Sequence, residues 1–167
     1  LSSLSSGKER PCLFTSVKES ADIKSALGKY QLIDQSFEKT RVAVEKALSN
    51  PVEVPPPGEA GGYEHERHKQ NYRDMRSAAM LFRITGEEKY AAYTRAMFMQ
   101  YAEMYPTLDS HPHSHKQAAG KLFHQMLNET VWLVYASQAY DCLYDWLTEK
   151  DRETIEKNLF EPMVHWF

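Results

Sequence analysis

The amino-acid sequence predicts an all-α domain, because apolar residues recur along it at the spacing of helix faces. In several stretches they return at steps of three, four and seven residues, which is the period of an amphipathic helix. The alternating apolar and polar runs that form half-buried strands are nearly absent. Hydrophobic residues make up 42% and charged residues 26% of the 167 positions, so the chain can bury a core.

The helices can be placed in order from these stripes and from the residues that end them. The predicted helices span residues 16–27, 32–48, 63–85, 87–105, 120–146 and 148–160. Gly28, Gly86 and Pro106 end three of them, since glycine caps a helix and proline cannot continue one. The third and fourth helices form an antiparallel hairpin. Residues 1–167 are therefore expected to form a single helical domain, with residues 1–10 as a flexible arm and residues 50–62 as an ordered loop.

Charge and hydropathy argue against two classes of partner. The net charge is −3 and is spread along the chain, so there is no cationic footprint for a nucleic acid. No run approaches the roughly 20 apolar residues that a membrane helix requires. Cys12 and Cys142 do not have the spacing of metal ligands, so we expect two buried free thiols, with one disulfide as the alternative. The apolar end, residues 163–167, is expected to pack against further chain, which predicts a truncated protein.

A first candidate site lies at residues 61–72, where two glycines precede a helix start rich in histidine and cationic side chains. The helix dipole and unpaired amides favour anions there, and Arg67 can hold a carboxylate with two hydrogen bonds. Tyr63, His65 and His68 lie in the same turns. A solvated helix start with internal ion pairs is the competing interpretation. Zinc is a poorer fit, because the two histidines are three residues apart and not four.

A second candidate site opens the predicted helix at residues 120–146. Gln125, Asn128, Glu129 and Trp132 follow one another at steps of three and four, which predicts one shared helix face. Such polar groups can line a sugar cleft, with Trp132 stacked on a pyranose ring, or they can form a buried network that joins neighbouring helices. Gln125 is the residue that we expect to contact a ligand.

The remaining constellations predict neither a metal site nor hydrolysis. The histidines of residues 111–116 alternate, but no acid or cysteine completes a set of ligands, so an exposed loop is expected. There is no glycine-rich phosphate loop and no serine nucleophile elbow. Glu129 and Asp141 would lie roughly 18 Å apart on one helix. That separation exceeds the roughly 5 to 9.5 Å that glycosidase carboxylates require.

Three segments together resemble polysaccharide lyase family 17, the oligoalginate lyases of the heparinase II/III-like superfamily. They are residues 63–72, the hairpin from residue 86 to residue 106, and residues 120–135. The resemblance implies an incomplete (α/α) toroid of antiparallel helix hairpins that forms the N-terminal portion of the lyase. In the family a β-rich domain follows and carries the metal ion, so no metal and no other cofactor is expected in this chain.

The resemblance also implies an activity and a set of binding residues. Members cleave alginate oligomers by β-elimination, with an Asn–His pair on the uronate carboxylate and a tyrosine in proton transfer. None of these catalytic groups is matched, because they are expected downstream of Phe167, and Asn128 is followed by glutamate and not by histidine. The residues expected to bind an acidic oligosaccharide or polysaccharide are Gln125, Tyr63, His65, Arg67, His68 and Asn128.

The sequence therefore predicts an N-terminal fragment of an alginate lyase, periplasmic or secreted as the family is, and inactive by itself. Its missing C-terminal part would be its partner. Three alternatives remain open: a heparinase-like lyase for another uronate polymer, a glycoside hydrolase on a similar toroid, and a non-catalytic helical binding module. The prediction requires the two polar helix starts to meet in space beside a groove.

Overall fold

A computed structural model of the protein describes residues 9–114 and 119–167, and these residues are helical with no strand. The helices are α1 (Val17–Ala26), α2 (Gln31–Leu48), α3 (Gly62–Thr85), α4 (Glu88–Met104), α5 (Met126–Leu143), α6 (Glu149–Ile155) and α7 (Glu161–Trp166). A 3₁₀ turn, Tyr105–Thr107, follows α4, and a π-helical turn, Glu156–Phe160, joins α6 to α7. The all-α prediction is confirmed, while the toroid stays a prediction.

Local sequence signals set most helix ends. Ser16 caps α1 and Thr148 caps α6, each in a capping box with the acidic residue three positions later. Gly86 ends α3 with φ 78°, a left-handed conformation that glycine adopts without strain, and its N–H donates to the Phe82 carbonyl. The predicted hairpin of α3 and α4 is therefore present, with its turn at the expected position.

The core lies around α3, which packs against both α4 and α5. Small residues such as Ala78 and Ala79 let the helices approach closely, and large side chains such as Met75, Phe98 and Trp132 fill the space between them. Each large buried side chain stabilises the fold by about 1.5–3 kcal/mol before the entropy of ordering is subtracted. Packing against α4 and α5 along its length holds the N-terminus of α3, where the first candidate site lies, in place.

The prediction that a helix spans residues 120–146 is wrong at both ends. Helix α5 starts at Met126 and ends at Leu143. The reason at its start is tertiary: the buried carboxylate of Glu129 accepts hydrogen bonds from the backbone N–H groups of Lys121 and Leu122, at 2.6 and 3.1 Å. Those amides point at a side chain and not along a helix, so residues 121–125 form a series of bends before α5.

The helical segment that begins at Glu149 continues to Trp166, past the end predicted at Phe160. Pro162 lies in its path and has no N–H to donate. The π-helical turn just before the proline, in which the Glu161 N–H reaches back to the Glu156 carbonyl, accommodates it without ending the helix.

Residues 9–15 run along the end of α5, and residues 1–8 of the predicted arm lie outside the described residues. Arg10 pairs with Asp141 at 2.8 Å, and its guanidinium lies 4.4 Å from the Tyr144 ring centroid. Both cysteines are free, as predicted, but Cys12 is exposed and only Cys142 is buried. Among the described helices none is long and apolar enough to cross a membrane.

Candidate functional site

The two polar segments singled out in the sequence meet in space. Residues 119–125, which precede α5 and are called the 119–125 segment below, run past the first turns of α3. The Phe123 ring lies edge-on to the His65 ring, at 5.1 Å between centroids, and 5.8 Å from the His68 ring. The His124 ring lies 5.6 Å from His65. The bends of residues 121–125 before α5 bring Phe123 and His124 to this position.

His68 belongs to a buried polar network at the base of this contact. Its Nδ1 lies 2.9 Å from the Tyr101 hydroxyl, which also accepts a hydrogen bond from the Asn71 amide at 3.0 Å. The Asn71 amide also donates to the Glu53 carbonyl at 2.8 Å. Burial, with smaller contributions from neighbouring histidines, lowers the pKa of His68 to about 4. His68 is therefore uncharged at neutral pH and fully buried, so its role is to support the residues packed around it.

A histidine cluster, defined as His65, His111, His113 and His124, lies next to this network. The His111 ring is 6.2 Å from the His124 ring and 6.1 Å from the His113 ring. Burial lowers the pKa of both His65 and His111; Lys69 lowers that of His65 further, and the neighbouring histidines lower that of His111. Within residues 9–114 and 119–167, no three His, Cys, Asp or Glu side chains are arranged to hold a metal ion. The last histidine of the predicted exposed loop, His115, lies outside the described residues.

Tyr63 and Arg67 lie on another side of α3, against the loop of residues 50–62. The Tyr63 hydroxyl donates to the Glu53 carboxylate at 2.7 Å, and that hydrogen bond raises the pKa of Tyr63. The Arg67 Nε lies 3.8 Å from the same carboxylate, beside a cleft of about 500 Å³ that Pro51 and Val52 also line. The residues predicted at the start of α3 thus divide between two faces, with His65 and His68 on the other.

Gln125 and Asn128 differ from the buried residues that follow them. Gln125 is exposed and is the N-cap residue of α5, with φ −125° and ψ 128°, and Asn128 is half-buried. Glu129 and Trp132 are fully buried, and Trp132 packs edge-on against Tyr101 at 4.7 Å. The predicted common face is wrong, because Gln125 precedes the helix. Gln125 can reach a ligand, whereas Trp132 cannot stack on a sugar.

Sequence reasoning missed Glu53, which joins Tyr63 to Arg67. The exposed loop predicted for residues 111–116 is wrong at His111, which is buried and lies beside His124. Of the two alternatives given for the second candidate site, the buried network fits Glu129, whose carboxylate shapes the 119–125 segment. No spacing along the chain signals Glu53 or the position of His111, because their partners are remote in sequence. The surface around Gln125 offers imidazole rings and an amide, while Arg67 lies on the other face of α3, and such groups can donate hydrogen bonds to an acidic saccharide.

Comparisons with known proteins agree on one enzyme class. No family model matches the chain. Over 160 residues, 95% of this chain, it is 38% identical to an exo-oligoalginate lyase from Saccharophagus degradans, and it covers 22% of that protein. Over 129 residues, 77% of this chain, it is 43% identical to an alginate lyase from Stenotrophomonas maltophilia, covering 17% of it. The chain thus spans about a fifth of the length of these curated relatives, and homology over most of its residues places it in the alginate lyase family.

Proposed function

We propose that this chain supplies part of the uronate-binding surface of an alginate lyase that cleaves by β-elimination. The observation that carries the proposal is the meeting of the 119–125 segment with the start of α3, at 5.1 Å between the His65 and Phe123 rings. Two relatives whose names state alginate lyase activity are homologous over most of the chain, which supports an acidic polysaccharide as the ligand.

In this proposal the exposed groups contact the saccharide and the buried ones hold them in place. Gln125, His113 and His124 offer hydrogen bonds to hydroxyl and carboxylate oxygens, while the buried His65 and His111 support them. Arg67 offers a charge for which Glu53 competes. Elimination also needs a base for the C5 proton and an acid for the leaving oxygen. We place these groups after Phe167, so the 167-residue chain by itself is inactive, and the remaining protein completes the toroid and the cleft.

The reaction class can be tested with the full-length protein and three uronate polymers. Incubation with alginate should raise near-ultraviolet absorbance, because elimination leaves a conjugated double bond, whereas heparin and hyaluronan should give no rise. A rise with heparin or hyaluronan alone would instead identify a heparinase-like lyase. New reducing ends without absorbance would identify a glycoside hydrolase, and binding without cleavage a non-catalytic module. Recovery of the native protein in the periplasm or medium would test its proposed location.

The role of Gln125 can be tested in the 167-residue chain. Gln125→Ala removes an exposed amide without touching the core, so it should weaken calorimetric binding of an oligoalginate by about tenfold, as expected for a hydrogen bond to a charged group. Gln35→Ala is the matched control, because Gln35 is also exposed but lies on α2. Equal affinity of the two variants would remove Gln125 from the site.

A further inference from the structure

Glu129 is a fully buried carboxylate whose two oxygens bind different parts of the molecule. Its Oε2 accepts hydrogen bonds from the backbone N–H groups of Lys121, at 2.6 Å, and Leu122, at 3.1 Å. Its Oε1 accepts one from the Tyr105 hydroxyl at 2.7 Å. A buried carboxylate is costly unless such donors surround it, so this arrangement strongly favours one path for the backbone.

Gly120 shows how closely the backbone wraps around this carboxylate. A Cβ built on Gly120 would lie 2.1 Å from Glu129 Oε2 and 2.6 Å from the Phe123 carbonyl oxygen. Neither distance is compatible with a real side chain. The Glu129 carboxylate therefore occupies the space that a side chain at residue 120 would need. This observation is independent of the hydrogen bonds.

The part of the chain held in this way carries the groups of the proposed ligand surface. Leu122 and Phe123 are buried just after the anchored amides, His124 packs on His65, and Gln125 follows in the open. We infer that Glu129 is a positioning residue, which holds the 119–125 segment so that it presents His124 and Gln125 to the uronate. The identity of the ligand in this inference rests on the proposed function. The conformation of the segment rests on the contacts of Glu129.

Other contacts hold the two ends of the 119–125 segment, so loss of the carboxylate need not unfold the chain. The Trp166 indole donates to the Ala119 carbonyl at 2.7 Å, and the His111 N–H donates to the Gly120 carbonyl at 2.9 Å. The Ser114 hydroxyl donates to the His124 carbonyl at 3.2 Å. The backbone amides that Glu129 accepts, those of Lys121 and Leu122, lie in the middle of the segment.

The test is Glu129→Ala, which removes both acceptor oxygens, whereas a glutamine could turn its carbonyl oxygen to the two backbone N–H groups and its NH₂ to Tyr105. The matched control is Asp141→Ala, because Asp141 also accepts two backbone amides but lies at the other end of α5. In Glu129→Ala, amide hydrogen exchange at Lys121 and Leu122 should accelerate by about tenfold to a hundredfold. Calorimetric affinity for an oligoalginate should fall by about tenfold, with no loss in the control.

These measurements distinguish the positioning role of Glu129 from the proposed binding of a uronate. Exchange at residues 121 and 122 that stays within about twofold of wild type would overturn the positioning role. Equal loss of affinity in Glu129→Ala and Asp141→Ala would also overturn it, since the effect would then be general destabilisation. A wild-type chain that binds no oligoalginate would count against the proposed function, while exchange would still decide the positioning. Should Glu129→Ala fail to fold, Gly120→Ala displaces the same contact from the other side and should show the same pattern.

Discussion

The two ends of α5 use the same device on different parts of the chain. Near the start of the helix, Glu129 accepts the backbone amides of Lys121 and Leu122. Near its end, Asp141 accepts those of Cys12 and Leu13, at 2.6 and 2.8 Å. Both carboxylates are buried, and both fasten a non-helical segment to the same helix.

The third partner of each carboxylate differs. Asp141 pairs with the cationic Arg10, whose side chain is 35% exposed, whereas Glu129 has the neutral Tyr105. Burial raises the pKa of Glu129, and the pKa of Tyr105 is raised by burial and by the glutamate beside it. Anchoring of backbone amides by a buried carboxylate is therefore a structural feature at both ends of α5. The side chains on each anchored segment decide the role of that segment.

Glu129→Ala should have the largest effect on stability. It would leave two backbone amides and the Tyr105 hydroxyl buried without an acceptor and would open a cavity, so we expect a loss of about 3–4 kcal/mol. Urea unfolding followed by circular dichroism measures it. A loss below about 1 kcal/mol would mean that water or a rearranged loop replaces the carboxylate.

Asp141→Ala should cost less, about 2 kcal/mol, because Arg10 and the released amides can be solvated at the surface. Amide exchange should accelerate at Cys12 and Leu13 and stay unchanged at Leu122. If exchange accelerated at both ends of α5, the two anchors would not be independent, and the comparison would fail.

Asp151 provides a carboxylate anchored mainly by a cation, and its contribution should depend on pH. Two hydrogen bonds from Arg95, at 2.6 and 2.9 Å, lower the pKa of Asp151 from 3.8 to about 2 against the effect of burial. Its stabilisation is therefore full above pH 3.8 and is lost as the pH falls toward 2. The raised pKa of Glu129 gives the opposite pH dependence. The stability linked to protonation of Glu129 falls as the pH rises above 4.5, the ordinary pKa of a glutamate.

The measurement is the unfolding free energy of wild type and Asp151→Asn from pH 7 to pH 2. Because Arg95 is 42% exposed and partly screened by solvent, we expect a difference of about 1–2 kcal/mol at neutral pH. The difference should shrink toward zero at low pH. A constant difference across the range would show that the lost capping contact at Thr148, and not the ion pair, dominates.

Gln125→Ala should have the smallest effect on stability, within about 0.5 kcal/mol, because the side chain is exposed and outside α5. Thermal unfolding measures it. A larger loss would show that Gln125 supports the fold, and its loss of ligand affinity could then no longer be assigned to direct contact.

The helix periods, the capping residues and the family resemblance were all predictable from sequence. The stripes placed α2, α3 and α4 to within one residue at each end, and Gly86 marked the turn of the hairpin. These features depend on residues within one or two turns of each other, where the physics is local. Homology to two alginate lyases confirms the family that three short segments indicated.

The candidate site was predictable only in part. The sequence indicated both polar segments, and the two segments do meet. The groove beside them and the binding roles of Gln125, Tyr63, His65, Arg67, His68 and Asn128 stay predictions. A single helical stripe could not indicate that His68 would be buried under Tyr101, which lies 33 residues away. Nor could it indicate that Tyr63 and Arg67 would share Glu53 on a different face.

By itself, then, the sequence determined the fold class, most of the helix ends and the family, because each follows from local periodicity or from a contiguous run of residues. Only the tertiary structure decided where α5 begins, which histidines are buried, and which side of α3 each polar residue occupies. The physical reason is that a buried carboxylate such as Glu129 can override helix propensity when it supplies acceptors for backbone amides. Whether it is buried depends on packing between helices far apart in the chain.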